Sequence, residues 1–301
     1  MKTWLITGCS SGLGRNLAHA VLDAGFNAVV TARNPATVKD IVAAYPQTAL
    51  AAALDVSDKG AVERVVKLAE ERFGGIDVLV NNAGHGYRAA VEEGEDDQVA
   101  ELFATNFFGA VSMIKAVLPG MRARRSGAIV NVTSIAARLA MPGSAYYSAT
   151  KFALEGVSDA LRREVEPLGI KVLIVEPGAF RTDFAGRSLH GAATTIADYD
   201  ESVGPRRKEN DKTHGTQPGD PARAAKLLIK VIGGKTLPVR LLLGSDAVQI
   251  VGTEVAAHLK EIQEWTSVSV RTDFPAAGHG GEPPSVREDF EVLREQGPPA
   301  G

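Results

Sequence analysis

Short apolar runs alternate with longer amphipathic stretches along most of this chain, and that rhythm restricts the possible folds more than any other feature. The runs are Trp4–Thr7, Ala28–Ala32, Thr48–Asp55, Ile76–Asn81, Ala128–Thr133, Lys171–Glu176 and Val239–Leu243. Several are apolar on both faces, as in Val78-Leu79-Val80 and Val172-Leu173-Ile174-Val175. Such runs suit parallel strands covered by helices above and below, whereas antiparallel strands with one wet face more often alternate. Between them lie stretches of helical periodicity at about 13–25, 35–44, 58–73, 97–123, 147–168, 220–233 and 246–264. In one of these, Leu154, Val157, Leu161, Val165 and Leu168 form a continuous apolar stripe. The pattern predicts an α/β fold: a doubly wound parallel sheet of about seven strands with helices on both faces.

The 301 residues would allow one large domain or two modest ones. No Pro/Gly/Ser linker interrupts the series before residue 270, so a single domain over 1–270 is predicted, followed by a tail at 271–301. Residues 275–301 hold five prolines and five glycines, with Val286, Phe290 and Leu293 as one short amphipathic patch. Residues 178–219 carry little helix or strand pattern and read as a long loop or lid over a substrate. With 33 Lys+Arg against 36 Asp+Glu, the chain has no electrostatic footprint for nucleic acid or an anionic membrane. No apolar run approaches the roughly 18 residues of a membrane span, and the first residues develop no signal-peptide pattern, so a cytoplasmic protein is expected. One cysteine, Cys9, excludes an intramolecular disulfide and a multi-thiolate metal site. The histidines at 19, 85, 190, 214, 258 and 279 lack ligand spacing, and no metal site is predicted. His85 and His190 read as solvated loop residues that could also face a substrate.

Two local patterns carry chemistry. After the first strand comes Thr7-Gly8-Cys9-Ser10-Ser11-Gly12-Leu13-Gly14, leading directly into a helix. Glycines let the backbone turn tightly and approach a pyrophosphate, which the N–H groups and dipole of a helix N-terminus stabilise. A tight connection without a ligand has the same pattern. About twenty residues on, where a dinucleotide fold contacts the adenosine ribose, stands Arg33. An arginine there can pair with a 2′-phosphate, which points to NADP(H) in preference to NAD(H); a solvated strand-end residue is the plain alternative. The second pattern is Tyr147-Ser148-Ala149-Thr150-Lys151, with Ser134 thirteen residues before the tyrosine. Positions i and i+4 share a helix face, so a lysine ammonium can favour the phenolate and lower a tyrosine pKa from its ordinary value near 10. Alone, that spacing fits a surface pair equally well.

Taken together, these motifs resemble the short-chain dehydrogenase/reductase family, in its single-domain branch with T-G-x-x-x-G-x-G and Y-x-x-x-K motifs. The resemblance covers about residues 3–245 and implies a three-layer Rossmann fold. It implies a cofactor loop at Gly8, Ser10, Ser11, Gly12, Leu13 and Gly14, with adenine contacts from Asp55 and Val56. Asn82, Ala83 and Gly84, within Asn81-Asn82-Ala83-Gly84, are implied on the adenine-ribose side, and Pro177, Gly178 and Thr182 at the nicotinamide. The implied catalytic tetrad is Asn106, Ser134, Tyr147 and Lys151. The expected reaction is hydride transfer between NADP(H) and a small-molecule carbonyl/alcohol pair, with Tyr147 as general acid/base and Ser134 stabilising the substrate oxygen. Lys151 would bind the nicotinamide ribose and depress the tyrosine pKa, and Asn106 would position a water that relays protons to the lysine. A 3-oxoacyl thioester reductase and a non-catalytic NADP-binding sensor are the alternatives; an epimerase or dehydratase is disfavoured by the loop spacing. The resemblance also implies a homodimer or homotetramer, formed through the helix bearing Tyr147 and the helix with the apolar face Phe107, Phe108, Val111, Ile114, Val117 and Leu118; a core role explains the same face.

Overall fold

The computed structural model describes residues 1–186, 188–213 and 215–274. Residues Met1–Glu254 form one compact unit, and a second begins at Val255, inside the last long helix of the described residues. The helix patch expected at 286–293 and the histidines His214 and His279 lie outside the described residues.

Seven strands make one parallel sheet: β1 Thr3–Ile6, β2 Asn27–Ala32, β3 Ala49–Ala53, β4 Val78–Asn81, β6 Gly127–Val132, β7 Ile170–Pro177 and β9 Arg240–Leu243. Two further short strands, β5 Gly86–Arg88 and β8 Leu189–Gly191, pair with each other outside it. The order across the main sheet is β3-β2-β1-β4-β6-β7-β9, so the chain winds outward from β1 and then from β4 in opposite directions. That reversal opens a crevice beyond the carboxyl ends of β1 and β4, the usual binding position in doubly wound folds.

Helices α1 Gly12–Asp23, α2 Lys39–Ala44 and α8 Pro221–Ile232 cover one face; α3 Lys59–Phe73, α5 Ala110–Arg124 and α6 Ala145–Val165 cover the other. Strand residues alternate between the two cores: Trp4, Ile6, Val78 and Val80 pack on the first side, Leu5, Leu79 and Ile129 on the second. Both faces are therefore dry, which is why the strands read as unbroken apolar runs. In α6, Leu154, Leu161 and Val165 are buried as predicted, whereas Val157 and Leu168 are half-buried. Lys151, Glu155 and Ser158 share the buried face, so the stripe is not wholly apolar.

Helix α4 Asp96–Phe103 runs through a π-helical turn, Ala104–Gly109, straight into α5. The combined 96–124 helix is long and apolar enough to cross a membrane, with a mean hydropathy of 1.4 over its most apolar window. This departs from the expectation of no such segment, because interspersed polar residues hide it from a search for unbroken runs. Here it is a core helix: Leu102, Met113, Ile114, Val117 and Met121 are buried against the sheet or its flanking strands. Phe108 points outward and is 58% exposed.

The 178–219 segment is more structured than its composition suggests. It contains β8 and helix α7 Gly204–Thr213. Its ends are tied together where Arg181 and Gly219 N–H groups donate to Gly219 and Ala179 carbonyls at 2.9 and 3.0 Å. Glu93, buried, holds the middle: its carboxylate accepts from the Ala90 and Ile196 N–H groups at 2.9 and 2.7 Å and pairs with Arg207. Glu95 accepts from Tyr87 and from the Ala193 N–H. The bonds to Ile196, Arg207 and Ala193 join residues about a hundred positions apart, beyond the reach of local periodicity. Among the structural positions, Leu79 is fully buried at the centre of the sheet. Leu79→Ala should lower the unfolding free energy by about 2–5 kcal/mol in urea titrations, and a loss under roughly 1 kcal/mol would contradict this packing.

Candidate active site

The turn between β1 and α1 is fixed from beneath by the end of β4. Thr7 Oγ1 accepts from the Asn82 and Ala83 N–H groups, both at 2.9 Å, while Asn82 Nδ2 donates to the Thr7 and Gly8 carbonyls at 2.9 and 3.1 Å. Gly8 has φ of 73°, and a Cβ there would meet Ala83 Cα at 2.9 Å. A Cβ on Gly14 would fall 2.4 Å from both Asn82 Nδ2 and the Gly8 carbonyl oxygen. Gly14 therefore lets α1 begin directly against the turn rather than lining the cavity itself. No side chain caps the N-terminus of α1 and its first turn holds no acidic residue, so its N–H groups remain available to an anion. Cys9 is buried and donates to the Ile6 carbonyl at 3.2 Å; burial pushes its thiol up to about 12, which suits a small filler and not a nucleophile.

A single cavity of about 850 Å³ runs from this turn along the carboxyl ends of the strands. At one end it is lined by Gly8, Ser10, Ser11, Gly12 and Leu13, with Arg33, Asp55 and Val56 beside them. Arg33 is exposed at the end of β2, and its charge helps hold the Asp55 carboxyl below its ordinary value, after the larger effect of the Ser57 hydroxyl. Asn82, Ala83 and Gly84 form the floor, and Pro177, Gly178 and Thr182 the far wall. Seventeen of the residues singled out in the sequence thus border one space. Gly14 and Asn106 sit one layer behind it.

Ser134, Tyr147 and Lys151 meet at the inner end. Ser134 follows β6 and caps a short 3-10 turn, where its Oγ accepts from the Ala136 N–H at 3.1 Å. Tyr147 opens α6 and is partly accessible from the cavity. Burial of its phenol pushes the pKa up to about 12, and the Ser134 hydrogen bond pulls only weakly the other way. Lys151 is buried; it donates to the Val132 carbonyl at 3.0 Å and stands 5.7 Å from the Tyr147 ring centre. Burial brings its ammonium down to about 8. In the protein alone, desolvation dominates at the phenol; the expected depression of the tyrosine pKa is for Lys151 acting together with an oxidised nicotinamide.

Asn106 lies in the π-helical turn and is buried. Its Oδ1 accepts from the His85 N–H at 3.0 Å; its Nδ2 donates to the His85 carbonyl at 2.9 Å and to Thr150 Oγ1 at 3.3 Å. The side chain thus locks the loop after β4 to α6, a common use of a π-turn at a functional site. His85 and His190, expected to be solvated, both line the cavity with ring centres 5.7 Å apart. Burial first, and then His190, lower the His85 pKa. Four charged residues behind the site were not anticipated: Glu155, Glu176, Arg138 and Arg240. The available signal was a glutamate four residues after Lys151 on the buried face, and another ending the apolar run of β7. Among the described residues no group of three or more metal-ligating side chains occurs.

The glycine cradle, too tight for a Cβ, and the uncapped helix start fit the pyrophosphate of a dinucleotide, and the cavity continues to a paired tyrosine and lysine at the other end. The family model for short chain dehydrogenases matches residues 2–192. An oxidoreductase named BOA17 from Botryotinia fuckeliana is 37% identical over 270 residues, 89% of this chain and 98% of that protein. A 3-ketodihydrosphingosine reductase from Bacteroides thetaiotaomicron is 36% identical over 247 residues, 80% and 87% of the two chains. A crystal structure of a short-chain dehydrogenase from Streptomyces avermitilis superposes with a TM-score of 0.85 at 42% identity, covering 91% of this chain and all of that one, 100%. An alcohol dehydrogenase from Thermococcus sibiricus, complexed with 5-hydroxy-NADP, superposes with a TM-score of 0.66 at 27% identity over 81% and 96%. With its doubly wound sheet, glycine turn and paired tyrosine and lysine, this chain belongs to the short-chain dehydrogenase family of oxidoreductases.

Proposed function

We propose that the protein is an NADP(H)-dependent reductase that converts a ketone or aldehyde to its alcohol, with Tyr147 as proton donor. The observation that carries this reading is the meeting of half-buried Tyr147 and buried Lys151, beside Ser134, in the cavity that begins at the glycine turn. A nicotinamide dinucleotide bound along that cavity would supply the hydride. The protein's own part is to place a carbonyl oxygen within reach of a proton and of a hydrogen-bond donor.

A phenol pushed up to about 12 holds its proton at neutral pH, so Tyr147 is ready to act as an acid. Ser134 Oγ accepts from Ala136, and its hydroxyl, which reaches the Tyr147 oxygen, would turn its proton to the substrate oxygen as negative charge develops there. Lys151 keeps two N–H bonds beyond the one to Val132, suited to ribose hydroxyls and to replacing the proton that Tyr147 gives up. Asn106 supports this arrangement by holding the Gly84–His85 backbone, and a water there would complete the relay to Lys151. Arg33 would pair with the 2′-phosphate. The names of two relatives, a 3-ketodihydrosphingosine reductase and a structure complexed with 5-hydroxy-NADP, support a ketone substrate and this cofactor. A non-catalytic sensor would have no need of all four residues Asn106, Ser134, Tyr147 and Lys151. For the predicted homo-oligomer, Phe108 and Phe152, 58% and 46% exposed, supply an apolar surface.

A screen of ketones, aldehydes, 3-oxoacyl thioesters and hydroxysteroids with both cofactors, followed by nicotinamide absorbance, tests the assignment. Turnover with NADPH is expected; consumption of neither cofactor across the panel would favour the sensor. Tyr147→Phe should lose at least about 10²-fold in kcat while its Kd for NADPH stays near wild type, since only the hydroxyl is removed. Arg33→Ala should lower kcat/KM for NADPH by roughly tenfold or more and leave the value with NADH within about twofold. Equal effects on the two cofactors would remove Arg33 from the phosphate.

A further inference from the structure

Directly behind the site, two carboxylates are buried against each other. Glu155 lies on α6, four residues past Lys151 and eight past Tyr147, and Glu176 ends β7 immediately before Pro177-Gly178; they are 6% and 1% exposed. Glu155 Oε1 accepts from Thr133 Oγ1 at 2.9 Å, and its Oε2 accepts from Arg240 Nε at 2.9 Å. Glu176 Oε1 accepts from Arg138 Nε and Nη2 at 2.9 and 2.7 Å. Each guanidinium also reaches the other carboxylate: Arg138 to Glu155 at 3.6 Å and Arg240 to Glu176 at 3.6 Å. Arg240 further pairs with Asp159, the remaining acid on that face of α6.

Three of the segments joined here carry or adjoin residues that line the cavity. Thr133 and Arg138 flank Ser134, Glu155 shares a face with Tyr147 and Lys151, and Glu176 adjoins the Pro177-Gly178 wall. Three carboxylates face two guanidiniums, in a setting where an uncompensated charge is costly. We infer that Glu155 and Glu176 hold one proton between them, and that this protonated pair, clamped by Arg138 and Arg240, positions the Ser134 turn, α6 and the Pro177-Gly178 wall relative to one another. Loss of the proton leaves two adjacent carboxylates that repel, and the wall moves away from α6.

The pH dependence has a definite sign. Burial, with a further push from Glu155, raises the Glu176 carboxyl from 4.5 to about 7. A carboxyl raised in the folded state stabilises most below its unfolded value, and the benefit is lost as pH rises through about 7. The other charged groups that face the pair are Asp159, Arg138 and Arg240; Lys151, one turn earlier on α6 and lowered to about 8, titrates above this window and with the opposite sign. Glu176→Gln keeps the shape, donates to Glu155 and accepts from Arg138, so it mimics the protonated pair.

The test is carried out on full-length protein by thermal unfolding from pH 5 to 7.5 and by NADPH titration, read through nicotinamide fluorescence, at pH 6 and 8. Relative to Glu176→Gln, wild type should lose on the order of 4 °C in Tm across that range. Its NADPH Kd should weaken about threefold more from pH 6 to 8 than that of Glu176→Gln, while Glu176→Ala is impaired at both pH values. Parallel pH trends in wild type and Glu176→Gln, or Glu176→Gln as unstable as Glu176→Ala at pH 6, would overturn the shared proton. If Glu176→Gln does not fold, Glu155→Gln makes the same comparison from the other side of the pair. The titration arm rests on reading the cavity as an NADPH site and the unfolding arm does not. An unfolding difference without any NADPH binding would therefore uphold the pair and defeat the cofactor reading instead.

Discussion

Everything at the inner end of the cavity depends on Tyr147, half-buried, and Lys151, buried, sharing one desolvated corner. Desolvation disfavours the charged form of both groups, so it acts on them in opposite directions: the phenol holds its proton more tightly and the ammonium less so. The result is an acid that stays protonated at neutral pH next to a cation that releases its proton more readily than an exposed lysine. The Ser134 hydroxyl, hydrogen-bonded to the phenol, acts against burial. In the proposed reaction this arrangement would favour proton transfer to an alkoxide-like oxygen, because Tyr147 would carry the proton when substrate arrives and Lys151 could restore it.

The fold creates that corner through its topology. Reversal of winding between β1 and β4 leaves a crevice, and the side chains of Thr7 and Asn82 bridge the two strands across it. Gly8 and Gly14 permit an approach that a Cβ would block, so the start of α1 faces the crevice. The π-helical turn at Ala104–Gly109 then presents Asn106 to the loop after β4, and α6 delivers two of the chemical groups from a single helical turn. Behind them the Glu155–Glu176 cluster connects β6, β7, β9 and α6, so the site is braced by charged residues in a region otherwise packed with aliphatic ones.

Much of this is legible in the sequence. Strands buried on both faces leave continuous apolar runs, and all seven appear in the structure within a few residues of their expected ends. Gly8, Ser134, Tyr147 and Lys151 were found because motif spacing is local: a turn followed by a helix, and one helical turn between two side chains. What stayed hidden has partners far away in sequence. Glu155 and Glu176 look out of place on apolar elements until Arg138 and Arg240 are brought beside them. The 178–219 segment reads as formless because Glu93 and Glu95, on the other side of the cavity, order it. The π-helical turn has no periodic signature that separates it from the helices at its ends. The sign of the Tyr147 shift was likewise beyond the sequence, since spacing reveals the lysine but not the depth of burial.

The central claim is that hydride passes directly to a carbonyl carbon while Tyr147 protonates its oxygen. It is tested most directly with NADPH carrying deuterium at both C4 positions and a ketone that the wild-type protein reduces, with the alcohol analysed by mass spectrometry. The account predicts one deuterium in each alcohol molecule, bound to the former carbonyl carbon, and almost no labelled alcohol from Tyr147→Phe over the same time. Alcohol formed without deuterium, or labelled at the same rate by Tyr147→Phe, would contradict it.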